Sequence, residues 1–247
     1  MNLLQVTILS IIEGLTEFLP ISSTGHLILV SKILNLESSN FLKTFQIVIQ
    51  SGAILAVVVL YFNKLVRNVN LIKKLIVAFI PAAIVGFMLY PFIKGFLLGS
   101  SSVTLWSLFL GGIILIFYKK ENHDKKDISY KDAFVIGVFQ SLSVIPGVSR
   151  AAATIIGGLT TGLSRVQAVE FSFLLAIPTM FAVTGYDLYK SASLFSSQNY
   201  ITLGVGFVLS FIFALIAVKF LINFIKKNDF TFFGVYRIIL ALLFWLF

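Results

Sequence analysis

Six apolar runs dominate this chain, at about residues 42–62, 71–90, 103–118, 166–187, 200–225 and 230–247, each long enough or nearly so to cross a hydrocarbon core. Such a core, about 30 Å thick, takes roughly 20 helical residues, so the runs predict transmembrane helices. Composition agrees: 58% of the 247 residues are hydrophobic and only 12% charged, where a soluble domain carries about 25%. The apolar content covers the whole length, which predicts one membrane domain and no separate soluble one. The net charge of +9 sits between the apolar runs and concerns membrane orientation rather than nucleic acid. With no cysteine and only two histidines, disulfides, thiolate chemistry and a three-histidine zinc site are excluded. The first apolar stretch lacks a basic leading segment and carries Glu13 and Glu17, so it reads as mature structure rather than a signal peptide.

Two further stretches, 1–34 and 133–163, are too long for one crossing and too short and polar for two. Each is broken near its middle, the first at Pro20-Ile21-Ser22-Ser23-Thr24-Gly25 and the second at Pro146-Gly147-Val148-Ser149. Both predict re-entrant helix pairs that enter and leave on one side. Placing the two prolines in register, an offset of 146 − 20 = 126, pairs Ser23 with Ser149 and Phe45 with Phe171. Each half, 1–125 and 126–247, then reads as one broken pair followed by three crossings. Three is odd, so the second half is inverted relative to the first, an arrangement that places a site at the midplane between broken helices. The expected fold is an all-α polytopic membrane protein with six transmembrane helices plus two re-entrant helix pairs in an inverted-topology repeat. The hydrophilic segment 119–132, with five lysines, four acids and His123, is a solvated connector between the halves.

Ionisable groups inside a membrane cost about 2.5–3.5 kcal/mol each on insertion scales, so their positions point to function. Glu13 and Glu17 stand four apart, which puts both carboxylates on one helix face, one turn apart. The repulsion is relieved either by a hard divalent cation or by a shared proton. Ser22, Ser23, Thr24 and Gly25 read as the N-terminus of the second half-helix, and Gly147 and Ser149 do the same for the helix that carries Arg150. Two helix N-termini converging at the midplane make an anion site. Arg150 keeps its charge and its fork matches phosphate. His26, one turn beyond the hydroxyls, is a candidate base, acid or nucleophile. The set describes a phosphate-handling site in a membrane, with two routes: Ser23 attacks phosphorus while His26 or Glu17 takes its proton, or His26 attacks or activates water.

The segment Glu13-Gly14-Leu15-Thr16-Glu17-Phe18-Leu19-Pro20-Ile21-Ser22-Ser23-Thr24-Gly25-His26-Leu27 resembles the first signature of the bacterial undecaprenyl-diphosphate phosphatase (bacitracin-resistance) family. Pro146-Gly147-Val148-Ser149-Arg150 with Thr154 resembles the second, and FQIVIQ at 45–50, EFSFLLAIP at 170–178 and Asp187-Leu188-Tyr189-Lys190 extend the likeness along the chain. The resemblance implies hydrolysis of undecaprenyl diphosphate to the monophosphate carrier lipid and phosphate, with a divalent cation, Mg²⁺ or Ca²⁺, as cofactor. It implies an essential acidic role for Glu17 with Glu13 as partner, Ser23 and His26 as nucleophile and general base in either order, and Arg150 on the diphosphate. Ser22, Thr24, Gly25, Gly147, Ser149 and Thr154 are the accompanying phosphate-binding candidates. One departure is visible: Ala151, Ala152 and Ala153 follow the arginine, where the family usually has serine first, which removes a hydrogen bond to phosphate from position 151. The partners expected are the lipid substrate and the bilayer, with no nucleic acid and with a homodimer as a compatible assembly.

Counting basic residues by side gives twelve on the side of the loops at 63–70, 119–132, 164–165 and 226–229, against four (Lys32, Lys43, Lys94 and Lys190) on the other. The positive-inside rule makes the first side cytoplasmic. The first re-entrant pair, with Glu13, Glu17, Ser23 and His26, then enters from outside, which predicts a bacterial cytoplasmic-membrane enzyme with an outward-facing site. Broken helices in inverted repeats are equally a transporter architecture, so a transporter or lipid flippase for a phosphorylated prenyl lipid is the rival reading. A membrane phosphatase of the two-histidine class is rejected, because no histidine follows Arg150.

Overall fold

In a computed structural model, residues 1–37, 39–89, 100–118, 127–191 and 197–246 are described, with side chains outside 186–199. His123 of the connector and Lys94 lie outside the described residues, as does the Lys190 side chain. The described residues are helical, with no strand among them. In chain order the helices are α1 (Leu3–Thr16), α2 (Ser23–Ile33), α3 (Asn40–Arg67), α4 (Val69–Met88), α5 (Ser101–Phe117), α6 (Tyr130–Ser141), α7 (Arg150–Thr160), α8 (Arg165–Ser191), α9 (Ser197–Ile225) and α10 (Thr231–Trp245). Of the six expected crossings, α3, α4, α8 and α9 are long and apolar enough to span a membrane, while α5 and α10 are shorter at 17 and 15 residues.

The two broken stretches fold as the breaks demand. Asn2 and Gln5 form a reciprocal capping box that starts α1, and Ser129 with Asp132 does the same for α6. After each break a serine caps an 11-residue helix: Ser22 Oγ accepts the Gly25 N–H before α2, and Ser149 Oγ accepts the Ala152 N–H before α7. At 1.5 Å per residue each is about 16 Å long, half of a hydrocarbon core. Both capping serines sit at positive φ, 70° and 73°, a left-handed conformation that costs energy in a residue other than glycine. This corrects the expected register. The serines equivalent in backbone and bonding are Ser22 and Ser149, an offset of 149 − 22 = 127, so Ser149 matches Ser22 rather than Ser23, and Ser23 matches Arg150. The proline alignment fails because the chain reaches the cap one residue sooner in the first break.

Packing is laid out in exchanged pairs. α1 lies on α9 and α6 on α4; α3 crosses α8; α5 lies on α10; α2 and α7 stay against α1 and α6 respectively. Small residues allow the close approaches. A Cβ on Gly112 would stand 2.7 Å from the Gly234 carbonyl oxygen, and one on Gly234 would stand 2.6 Å from that of Gly112, so α5 and α10 touch backbone to backbone. The largest buried cluster gathers Phe18, Ile155, Phe173 and Leu221 among others from both halves. Phe18 meets Phe173 edge to face at 5.4 Å, fixing the end of α1 against α8 beside the breaks.

Candidate active site

α1 runs out at Thr16, and Glu17 is its C-cap, its N–H still bonded to the Glu13 carbonyl. The helical spacing therefore reaches both acids, and both are buried, Glu13 completely and Glu17 to 5% exposure. Glu17 is shared between the two breaks. Ser23 Oγ, in the first residue of α2, donates to Glu17 Oε2 at 2.5 Å. Arg150 Nη2, from the first residue of α7, donates to Glu17 Oε1 at 3.2 Å. Arg150 Nη1 donates to the Ser172 carbonyl at 3.0 Å, while its Nε is buried without a partner. Both oxygens of Glu13 are likewise buried and unpartnered, and the carboxylate faces Glu17, Gln50 and Arg150.

Ser23, Glu17 and Arg150 thus form a continuous chain from hydroxyl to carboxylate to guanidinium, set where the N-termini of α2 and α7 meet it. Such ends present free N–H groups and partial positive charge. Glu17, rather than His26, receives the Ser23 hydroxyl. His26 is buried and turned elsewhere: Nδ1 stands 2.7 Å from the Ser22 carbonyl oxygen and Nε2 2.8 Å from the Tyr236 hydroxyl. Thr154, completely buried, bonds Ser172 Oγ at 2.6 Å and donates to its own helix, so its hydroxyl positions α7 against α8. Thr24 is exposed, and the Gly25 N–H is taken by Ser22. Ala151 to Ala153 pack into the buried face of α7.

Arg237 escaped the sequence reading. It is completely buried, and its five N–H donors all meet carbonyl oxygens: Nε to Leu108, Nη1 to Pro20 and Val148, Nη2 to Ser107 and Gly147. Five is the whole capacity of a guanidinium. One side chain from α10 thus holds both breaks, through Pro20 in the first and through Gly147 and Val148 in the second. Gly111 leaves room for it, since a Cβ there would run into the guanidinium. The signal was present in the sequence as a lone arginine inside the apolar run at 230–247.

Comparison with known proteins decides the family. Residues 6–243 match the family described as bacitracin resistance protein BacA. This chain belongs to the BacA family. Among BacA relatives, one from Aquifex aeolicus named undecaprenyl-diphosphatase is 54% identical over 246 residues, covering 97% of this chain and 96% of the relative. Another with that name, from Persephonella marina, is 54% identical over 254 residues, 100% of this chain and 99% of the relative. A third, from Campylobacter jejuni, is 46% identical over 252 residues, covering 99% and 94%.

Proposed function

We propose that this BacA-family protein is an undecaprenyl-diphosphatase, hydrolysing undecaprenyl diphosphate to undecaprenyl phosphate and inorganic phosphate and so recycling the carrier lipid on which cell-wall synthesis and bacitracin resistance depend. The observation that carries the reading is the Ser23–Glu17–Arg150 chain at two helix N-termini: a nucleophile in contact with a base, beside a guanidinium with a free donor. Full-length identity to relatives that bear the enzyme's name supports it.

The geometry orders the steps. Arg150, with Nε unpaired, turns to the diphosphate, and Glu17 loses its counter-charge where the Ser23 proton needs an acceptor. Ser23 Oγ attacks the terminal phosphorus and its proton passes to Glu17. The bridging P–O bond breaks, and undecaprenyl phosphate leaves. Water then cleaves the phosphoserine to inorganic phosphate, Glu17 returning its proton to Ser23 Oγ while His26 serves as the base for that water. Backbone N–H groups at the starts of α2 and α7 and the Arg150 fork meet the charge on the transferring oxygens.

The donor set also fits a divalent cation. Glu13 offers two unpartnered buried oxygens beside Glu17, the hard ligands that Mg²⁺ or Ca²⁺ takes. Glu13 and Glu17 would hold the ion, whose chemistry would be neutralisation of the diphosphate's charge.

The exchanged packing of α1 on α9 and α6 on α4, and the matched caps at Ser22 and Ser149, support an inverted repeat of 1–125 and 126–247 with two re-entrant pairs. At the offset of 127 the second pair has Gln140, Val144 and Ala153 where the first has Glu13, Glu17 and His26. The acid and base groups therefore belong to the first pair, which the positive-inside count directs outward in the cytoplasmic membrane.

Phosphate release by purified protein from a prenyl diphosphate in detergent, with and without a chelator, tests the reading. Release that the chelator stops is expected. Prenyl diphosphate left intact would favour the transporter or flippase reading.

A further inference from the structure

We propose that Tyr236 is the positioning residue of His26, holding its imidazole as the neutral Nδ1–H tautomer with Nε2 as its one basic atom. The inference rests on the proposed phosphatase reading for its kinetic consequence, though not for its geometry. The Ser22 carbonyl oxygen, 2.7 Å from Nδ1, can only accept, so Nδ1 carries a proton. Nε2 of the neutral ring then offers a lone pair, and the Tyr236 hydroxyl 2.8 Å away donates to it. The two rings lie parallel within 2°, their centroids 5.6 Å apart. Because that hydroxyl fills the Nε2 lone pair, a proton reaches Nε2 when Tyr236 hands over its own and takes one from the attacking water, and the rotated hydroxyl then accepts from Nε2–H. The Ser22 carbonyl accepts from Nδ1–H in both states, and the Tyr236 hydroxyl is the partner that adjusts to the change at Nε2.

Its placement is enforced by its neighbour in sequence. Arg237 spends all five donors on the carbonyls of α5 and of the two breaks, which fixes the height of α10 against α5 and against the break that leads into α2. Tyr236 therefore reaches His26 from a clamped position. In a chain with 26 phenylalanines and 8 tyrosines, a plain apolar ring here would be phenylalanine. A tyrosine seeking only the polar edge of a membrane would have no need of a buried histidine.

Two measurements test this. In protein with ¹⁵N-labelled histidine and the substitution His123→Gln, His26 is the sole labelled residue; its Nδ1 resonance is expected in the protonated range and Nε2 in the unprotonated range. Tyr236→Phe, which removes only the hydroxyl, is expected to shift the Nε2 resonance. A wild-type spectrum with the proton on Nε2, or an Nε2 resonance indifferent to Tyr236→Phe, overturns the proposal. In kinetics, Tyr236→Phe is expected to lower kcat about tenfold with KM within about twofold, and to add less than about twofold in a His26→Ala background. An equal loss in both backgrounds would mean that Tyr236 does not act through His26. If the wild type released no phosphate, the phosphatase reading would fall while the spectra still decided the pairing. Should Tyr236→Phe fail to fold, the wild-type tautomer remains decisive.

Discussion

Glu17 holds Ser23 with one oxygen and Arg150 with the other, so a single substitution disconnects all three, which on the proposed mechanism are base, nucleophile and phosphate-binding guanidinium. Glu17→Gln keeps the shape of the side chain and is expected to lower phosphate release at least about a hundredfold, while the purified protein elutes as wild type in size-exclusion chromatography. Glu13→Gln should be milder, because Glu17 remains to serve Ser23. Near-normal turnover in Glu17→Gln would remove the base from the mechanism. Arg150 reaches two different carbonyl-type oxygens, on Ser172 and on Glu17, from two separate nitrogens. Lysine, a point charge, cannot span both and turn a third donor to phosphate. Arg150→Lys is therefore expected to lose nearly as much kcat/KM as Arg150→Ala, and recovery of most of the rate with lysine would reduce Arg150 to a source of field.

The broken helices were legible in the sequence because proline, glycine and clustered hydroxyls interrupt apolar runs whose length is otherwise set by the bilayer, and α2 begins at Ser23 and α7 at Arg150 where those signals end. The carboxylate pair was legible from spacing alone, since four residues make one turn. Pairing across the molecule was not. Nothing local tells that Glu17 rather than His26 takes the Ser23 hydroxyl, or that the caps match at 127 rather than 126, because both depend on how α1 ends and where α10 lies. Arg237 likewise acts by joining elements. Lysine has three donors against the five carbonyls that Arg237 satisfies, so Arg237→Lys leaves at least two of them unpaired. At about 1–3 kcal/mol for each buried unsatisfied group, the expected cost is about 2–6 kcal/mol. Thermal unfolding in detergent checks it, and an unchanged Tm would show that water replaces the side chain. Gly111→Ala, which drives a methyl group into the same guanidinium, should destabilise in the same direction.

On the proposed mechanism the reacting groups lie on the first broken pair, and the residues 127 further on, Gln140, Val144 and Ala153, cannot replace them, so sidedness of the reaction reduces to the sidedness of α1 and α2. Basic residues flank the apolar runs twelve to four, a bias that orients polytopic proteins with the richer side in the cytoplasm. On that count the segment after α2 faces outside, and the turn between α9 and α10 faces the cytoplasm. Both are open to reagent, since Glu37 and Lys227 are exposed, and the chain has no cysteine of its own. Glu37→Cys and Lys227→Cys, each alone, therefore give two reporters free of background. In intact cells an impermeant maleimide is expected to label position 37 and to spare position 227 until the membrane is opened. Labelling at 227 with protection at 37 would invert the molecule, and Glu17, Ser23 and His26 would then face the cytoplasm, where a carrier lipid released outside could reach them only after crossing the bilayer.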